Sequence, residues 1–437
     1  MLGAATFFWT SAAFANPPDT FGFGSRSTAL AGAVSADATD VSANYYNPAG
    51  IVGAKSFSAM VGYFRVDHHL ALNGQDTHVD PVRGINAGFV IPGRIRSLPV
   101  AIGLALHLPD DRISRVRALR QEQPRWELYD NRNQRLYLAA NVAIRPFSWL
   151  EIGGGVSFMS STRGRLDITG KAEIFSPQNS SLRHEVDADL TAIRYPQVGV
   201  RVHVHPRASL AVVYRAEFQL GLDLDARLYG DVSALTTAYY QLATSSVNAF
   251  LPRQLVFGGS WRVRDDVRVN ADLTWVNWSA YVPPVAQLNV DLNIPPPAGG
   301  WPAGISAPTT PAPITILPIG MRDRLVPRLG FEWNAFSTER IDLLVRGGYE
   351  YAKSPIPRQT GTTNYVDLDR HSMSAGLGVQ WHVKSHIYSG TLSFDTHLQW
   401  SELVSQVFEK NNPADFIGDY RASGHILNYG ASIAAQF

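Results

Sequence analysis

The chain has 437 residues, a formal net charge of +1 and no cysteine. Charged residues make up 17% of it, against about a quarter in an ordinary soluble protein. The near-neutral balance gives no reason to expect a nucleic-acid partner, and the lack of cysteine excludes disulfides and thiolate metal sites. No apolar run reaches the roughly 18–20 residues that a membrane helix needs, so a membrane crossing would use strands.

Residues 1–15 form an apolar run that ends in Ala13-Phe14-Ala15. An apolar region followed by Ala-x-Ala is typical of a secretory signal and its cleavage site. We therefore predict that residues 1–15 are removed and that the mature chain begins at Asn16. No basic residue precedes the apolar run, so the true start of the signal is left open. The alternative is a buried N-terminal helix.

A segment rich in small residues follows, from Phe21 to Val52. Short helical turns are predicted at 28–35 and 40–46, and they end at Asn47-Pro48-Ala49-Gly50, where proline bars further helix and glycine permits a reversal. The segment is too small to form a domain of its own, and only strands are predicted after it. This order indicates an N-terminal plug, residues 16–54, inserted into a barrel, residues 55–437.

Fourteen strands are predicted after the plug, because apolar and polar residues alternate with a period of two. One face of each strand suits lipid and the other suits a lumen, and an even number is expected for a bacterial outer-membrane barrel. A soluble sandwich would also alternate, but with its apolar face inward. The predicted strands are 55–66, 83–91, 99–108, 134–146, 149–160, 190–205, 207–219, 253–264, 266–279, 324–335, 340–352, 370–383, 386–402 and 420–437.

Tight turns and long connections alternate along these strands. Outer-membrane barrels have this asymmetry, with short periplasmic turns and long external loops. One long connection, 280–323, is rich in proline, and we predict no regular structure there. Another, 220–252, contains a predicted short amphipathic helix at 235–242. The last strand ends in Phe437, which resembles the signal that the bacterial barrel-assembly machinery binds.

Several short motifs lie along the chain, two of them in the plug segment. They are Gly24-x-Arg26-x-x-Ala29-Leu30-x-Gly32-Ala33, Ser42-Ala43-x-Tyr45-x-Asn47-Pro48-Ala49-Gly50, Leu251-Pro252 with Gly258, Asp272-x-x-Trp275-x-x-Trp278-Ser279, and Arg346-x-Gly348-Tyr349 with Ser354-Pro355. Together they resemble the motifs of the FadL-type outer-membrane transporters. The resemblance implies an all-β transmembrane antiparallel barrel with a small helical plug, located in the outer membrane of a Gram-negative bacterium. It also implies passive uptake of long-chain fatty acids or other hydrophobic molecules.

The third predicted strand places Ala101, Gly103 and Ala105 on its inward face, and all three are small. In the family that the chain resembles, a kink in the third strand opens a side window beside the plug. The resemblance therefore implies that these residues and the Asn47-Pro48-Ala49-Gly50 turn line such a window. Simple close packing of plug against wall is the alternative, and both interpretations can hold together.

Charged residues also alternate onto the predicted lumen face. One or two lumen arginines, with Arg328 and Arg346 as the candidates, would bind a ligand carboxylate. The alternative is that the lumen charges bond one another and the plug, because charges inside a closed barrel must be paired or hydrated. The predicted lumen set is Arg201, Arg215, Glu217, Arg268, Asp272, Arg328, Glu332, Arg346 and Glu350.

No enzyme is predicted, because the sequence has no Gly-x-Ser-x-Gly elbow and its histidines have no carboxylate at obvious ligand spacing. We expect no cofactor and no metal. The expected partners are hydrophobic small molecules, outer-membrane lipid and the assembly machinery, with the chain acting as a monomer. An adhesin-type or structural barrel without transport is the rival hypothesis, and a water-filled porin is a third.

Overall fold

The structure, a computed structural model, describes residues 17–111, 122–129, 136–172, 181–232, 236–281, 287–293, 295–296, 299–300, 317, 319–384 and 389–437. The predicted signal, residues 1–15, lies outside this set, as does much of the connection 280–323. Among the described residues, every helix is too short or too polar to cross a membrane.

Fourteen antiparallel strands form a closed barrel, and each strand overlaps one predicted from the sequence. Every strand pairs with the next one along the chain, and the last strand pairs back with the first from Ser58–Gln436 to Leu72–Ala422. They are β1 Ser58–Leu72, β2 Val82–Ile95, β3 Leu98–Pro109, β4 Tyr137–Phe147, β5 Leu150–Ala172, β6 Ser181–His205, β7 Ala208–Arg215, β8 Gln254–Arg262, β9 Val267–Val276, β10 Arg324–Ser337, β11 Ile341–Ala352, β12 Arg370–Lys384, β13 Ser389–Phe408 and β14 Tyr420–Gln436.

The apolar face of the wall points outward. On β9, Leu273 is 41% exposed whereas its neighbour Asp272 is 5% exposed. A soluble sandwich would bury the leucine and expose the aspartate. The observed direction is the one that a strand between lipid and a polar lumen requires. The predicted transmembrane barrel is thereby confirmed.

Three further strands, Phe218–Val232, Thr236–Leu251 and Gln287–Asn293, extend the sheet beyond the wall. Phe218–Val232 runs parallel to the far end of β5 and pairs with Thr236–Leu251, which in turn pairs with Gln287–Asn293. The helix predicted at 235–242 is therefore wrong for 236–242, where threonines and tyrosines favour a strand. The prediction of no regular structure in 280–323 is wrong at Gln287–Asn293, which contains no proline.

Residues 17–54, the plug, lie inside the barrel and contain helices α1 Pro17–Phe21, α2 Ser25–Ala29 and α3 Ala43–Tyr46, followed by a 3-10 helix, Pro48–Gly53. The turn predicted at 28–35 instead ends at 29, because Ala31 and Gly32 take positive φ angles. At the start of the 3-10 helix the Asn47 side chain accepts a hydrogen bond from the backbone of Ala49. The plug is thus built of short turns with fixed ends.

Two external segments, 122–129 and 353–369, fold back over the plug and are called here the lid. They are joined by a two-residue parallel ladder between Arg125–Trp126 and Tyr365–Val366. Their apolar side chains and those of the upper wall bury one another in a continuous cluster. The lumen is therefore closed on its external side by an apolar layer.

Candidate functional site

Several glycines of the wall lie directly against the plug, and three of them face its residues 44–48. A Cβ atom on Gly153 of β5 would lie 2.4 Å from the backbone carbon of Pro48, and one on Gly199 of β6 would lie 2.0 Å from Oδ1 of Asn47. A Cβ on Gly103 of β3 would lie 2.2 Å from Oδ1 of Asn44. Any larger residue at these positions would displace the plug, which explains why the sequence has glycine there.

Ala101, Gly103 and Ala105 do face the plug, as the sequence predicts. Ala101 and Ala105 are buried, as are all four residues of Asn47-Pro48-Ala49-Gly50. Yet this turn contacts Gly153 and Gly199, and the plug residue against Gly103 is Asn44. The structure brings the predicted residues into one interface but pairs them differently.

Asn44 is a plug residue that the sequence analysis did not single out. Asn141 on β4 donates through Nδ2 to both the backbone oxygen and Oδ1 of Asn44, each at 3.0 Å. Gln197 on β6 donates to the same backbone oxygen at 2.7 Å. Asn47, by contrast, binds within the plug, where its Nδ2 donates to the Ser35 carbonyl oxygen at 2.7 Å. Of these two asparagines, Asn44 is the one whose hydrogen bonds join the plug to the wall.

The wall beside Gly103 is continuous. Gly103 pairs with Val90 on one side and with Asn141 on the other, and both ladders run without a register shift along β3. In this conformation no opening interrupts the described residues of β2, β3 and β4 around Gly103. A lateral window at this place stays a prediction.

Ion-pair networks join the lumen charges, and two of them contain the candidate arginines Arg346 and Arg328. In the first, Arg346 contacts Glu332 at 2.7 Å and Asp395 at 2.5 Å, and Arg26 of the plug joins it through Glu332 at 2.9 Å. In the second, Arg328 and Arg370 bind opposite oxygens of Glu350 at 2.7 and 2.5 Å. The interpretation that lumen charges bond one another and the plug is confirmed for these groups. The role of Arg328 or Arg346 toward a ligand stays a prediction.

A cavity of about 80 Å³ lies between plug and lid, bordered by Asp19 and Tyr45 of the plug, Tyr129 of the lid and Arg324 of the wall. An apolar cavity of roughly 150 Å³ accommodates one benzene. The cavity between plug and lid, called here the upper cavity, is therefore too small for an alkyl chain in this conformation. The lid or the plug must move to admit one.

Arg324 differs from the other arginines around this cavity. In the described part of the chain it forms no ion pair, its Nε is buried without a hydrogen bond, and its Nη1 donates only to the Lys353 carbonyl oxygen at 3.3 Å. Its guanidinium lies 5.6 Å from the centre of the Trp278 ring. Sequence analysis missed it because alternation shows which face a residue takes but not whether it has a partner.

The lid carries one carboxyl group with an unusual acidity. Burial raises the pKa of Asp367 to about 6, and the nearby Arg324 cation only partly offsets that effect. Asp367 is buried, with 2% of its surface exposed. The group is thus partly protonated in the mildly acidic range.

A cavity of about 340 Å³ with a polar lining, called here the lower cavity, lies on the opposite side of the plug. Arg26, Asp37, Arg268 and Asp395 border it, together with residues 265–266 of the short turn after β8. Transfer of one methylene group from an apolar medium to water costs about 0.8 kcal/mol of free energy. Passage of a fatty chain through this polar cavity is therefore unfavourable. Among the described residues, the plug thus has an apolar layer on its external side and a polar cavity on its other side.

Comparison with known proteins agrees with this architecture. Residues 133–433 match the family described as outer membrane protein transport protein (OMPP1/FadL/TodX). The chain is similar to alkane uptake protein A of Marinobacter nauticus, with 21% identity over 98% of this chain and 93% of that protein.

Solved structures share the fold at low identity. The structure of a Pseudomonas aeruginosa FadL homologue covers 95% of this chain and 98% of its own at 13% identity, with a TM-score of 0.60. That of the Ralstonia pickettii toluene transporter TbuX covers 95% and 99% at 16% identity, with a TM-score of 0.52. The prediction of a transporter rather than an enzyme is confirmed by the family. The chain belongs to the OMPP1/FadL/TodX family and is an outer-membrane channel for hydrophobic compounds.

Proposed function

We propose that the protein carries out passive uptake of long-chain fatty acids or other hydrophobic molecules. External segments capture the solute, the plug gates its passage, and it exits sideways into the membrane. The observation that carries this proposal is the asymmetry about the plug, with an apolar lid layer above and a polar cavity below. An apolar solute that reaches the plug from outside lowers its free energy by moving into lipid rather than into the wet lower cavity.

The substrate class is supported from two directions. Similar proteins include an alkane uptake protein and a toluene transporter, and alkanes and toluene are neutral hydrocarbons. Arg324 borders the upper cavity and forms no ion pair with any described residue, so it offers a site for a carboxylate headgroup, because charge-assisted hydrogen bonds of guanidinium to carboxylate are strong. We therefore propose fatty acids as the preferred substrates, with hydrocarbons also admitted.

We also propose that the C-terminal strand directs assembly of the barrel. Phe437, the last residue, donates its backbone N–H to Phe57 and places its half-exposed ring 5.5 Å from that of Phe57 at the end of β1. The first and last strands meet here and close the barrel, and the assembly machinery would bind the terminal strand at this junction. Outer-membrane lipid then surrounds a monomeric barrel.

One observation favours the adhesin-type or structural alternative. The strands Phe218–Val232, Thr236–Leu251 and Gln287–Asn293 extend the sheet on the external side, where a partner on another surface would meet it. None of the described side chains of this sheet borders the upper cavity, although Phe218, Phe250 and Leu251 at its base join the buried apolar clusters.

Uptake of labelled fatty acids, alkanes and alkylbenzenes into a transporter-deleted strain tests the proposal. Cells expressing the chain should accumulate label faster than cells with the empty vector. Gly103→Trp and the double change of Asn47-Pro48 to Ala-Ala should reduce uptake at equal surface level, because both disturb the plug. No uptake of any of the three classes by a correctly assembled barrel would leave the adhesin-type hypothesis standing.

A further inference from the structure

A third cavity, called here the middle cavity, lies beside the plug between the upper and lower cavities. It measures about 10 Å³, close to the smallest volume that holds one water molecule. Phe21, Gly22 and Thr28 border both the middle and the upper cavity. Gly24 and Ser432 border both the middle and the lower cavity. The three cavities therefore follow one another along one side of the plug.

The lining of the middle cavity is polar but uncharged. The strands β1, β2, β13 and β14 form its wall side, where Asn86, His397 and Ser432 are polar, and Ser25 and Thr28 are polar on the plug side. Aspartate, glutamate, lysine and arginine are absent from the described residues that border it, whereas the upper and lower cavities each have several. The middle cavity thus offers hydrogen bonds to water but no counter-charge to an ion.

One side chain of this lining presents a free acceptor. Nδ2 of Asn428 donates to the Phe21 carbonyl oxygen at 2.8 Å, so its Oδ1 accepts from Nε2 of His397 at 3.2 Å. In the neutral ring, Nδ1 then carries the lone pair. This Nδ1 is buried and has no hydrogen-bond partner among the described residues. Ordered water is the usual partner of such a buried acceptor in proteins.

Small residues keep this side of the plug open. Gly22 and Gly24 join α1 to α2 with positive φ angles of 88° and 83°. A Cβ on Gly22 would lie 2.5 Å from Oγ1 of Thr28. Ser58 of β1 borders the lower cavity, and its buried Oγ also has no partner among the described residues. Small and polar groups therefore continue from the middle cavity into the lower one.

We propose that a single file of water molecules passes the plug through the middle cavity and joins the upper cavity with the lower one. Water crosses along this file and ions do not, because an ion would lose its hydration shell in an uncharged neck that is one water molecule wide. This water permeation is a further activity of the channel and does not depend on the uptake function. The apolar lid covers the external end of the file, so passage across the whole barrel requires an open lid.

Osmotic shrinkage of proteoliposomes, followed by light scattering, tests the file in a variant with a loosened lid. Trp126→Ala with Tyr365→Ala removes two large buried side chains of the lid, and hydrogen exchange at the Glu127 amide verifies the opening. These vesicles should shrink faster than protein-free vesicles. Ser432→Leu in the same background should abolish the difference, because the leucine fills the middle cavity. Ser401→Leu, at a buried serine that borders none of the three cavities, should preserve it.

Hydroxyl-radical labelling by X-ray radiolysis of the wild-type protein provides a measurement that depends on neither transport nor the lid. The radicals form from water where it lies, so they modify buried aromatic rings that contact water. Phe64 borders the middle cavity although it is only 3% exposed, and it should be labelled. Phe23 is buried as well but borders none of the three cavities, so it should stay unmodified.

An unlabelled Phe64, or shrinkage no faster than that of protein-free vesicles once the lid is open, would overturn the water file. Current steps in planar bilayers from the loosened-lid variant, if Ser432→Leu removed them, would show that ions take the same path and would overturn the ion exclusion. Rapid shrinkage by a protein that takes up neither fatty acids nor hydrocarbons would support the water file and contradict the uptake function alone.

Discussion

At the residue scale, the glycines behind the plug offer the sharpest substitution. Gly153→Val should displace the plug, because even its first side-chain carbon would clash with the backbone of Pro48. Gly154→Val is the matched control, since its Cβ points outward and meets only Gln197 O at 3.3 Å and a Val198 methyl at 3.7 Å. We expect Gly153→Val to raise sensitivity to a bulky polar antibiotic at normal surface level. Equal sensitivity of the two variants would show that the plug is not seated there.

We predict that Arg324 gives the upper cavity a preference for a carboxylate. Arg324→Gln should lower uptake of a long-chain fatty acid by about tenfold, which corresponds to loss of one charged hydrogen bond, and should leave alkane uptake unchanged. Arg322→Gln, two residues away and exposed, is the control. The measurement is competitive uptake of labelled palmitate and labelled alkane. Equal loss of both would mean that Arg324 only supports the fold.

The sequence predicts which side of a strand a residue occupies better than it predicts which residue that side chain contacts. The inward positions Ala101, Gly103 and Ala105 follow from period-two alternation, which is local along the chain. The contact of Gly103 with Asn44 rather than Asn47 depends on how a plug of short turns lies against distant strands. No local pattern contains that information. Arg324 was missed for the same reason.

At the element scale, the lid should respond to pH through Asp367. Burial raises the pKa of this carboxyl from 3.8 to about 6, so the folded lid binds its proton more tightly than an opened one does. The stability that this group contributes is complete below pH 3.8 and is lost as the pH rises through about 6. The lid should therefore open more readily at pH 7 than at pH 5.

Hydrogen exchange at the amide of Glu127, which donates to the Val366 carbonyl oxygen, measures that opening. Its protection factor should fall between pH 5 and pH 7. Asp367→Asn should keep protection high and independent of pH, whereas Asp419→Asn, on an exposed loop, should behave as wild type. A pH-independent protection factor in the wild type would contradict the assignment.

The sequence predicts strands correctly where the environment imposes a regular alternation of apolar and polar residues. Inside the membrane each strand separates lipid from lumen, and all fourteen wall strands show the resulting alternation. Beyond the lipid that constraint ends. The sequence therefore predicts a helix at the start of Thr236–Leu251 and irregular chain at Gln287–Asn293, and both are strands in the structure. Their strands are set by pairing with residues far along the chain.

At the scale of the whole molecule, the closed barrel was predictable because hydrocarbon leaves few choices. A chain without a long apolar helix must satisfy its backbone bonds between strands and leave no edge. The continuous pairing of β1 with β14 meets that requirement. The interruption of the ladder between β12 and β13 at Gly376 and Leu377 was not predictable, because nothing in the alternation of either strand marks it.

The wall should fold without its plug. Most lumen charges already have partners within the wall, since Arg346 pairs with Glu332 and Asp395, and Arg328 and Arg370 share Glu350. Deleting residues 17–54 therefore leaves few uncompensated buried charges. The remaining barrel should still reach the outer membrane.

Two measurements on that deletion variant test this expectation. Heat-modifiable gel mobility should persist, because a closed hydrogen-bonded wall resists detergent until it is boiled. Conductance in planar bilayers should rise above that of the full chain, because the plug no longer fills the lumen. The full chain at matched expression is the control. If the variant showed no heat-modifiable band, the contacts of Asn44 with Asn141 and Gln197 would be part of the folding core rather than a removable seat.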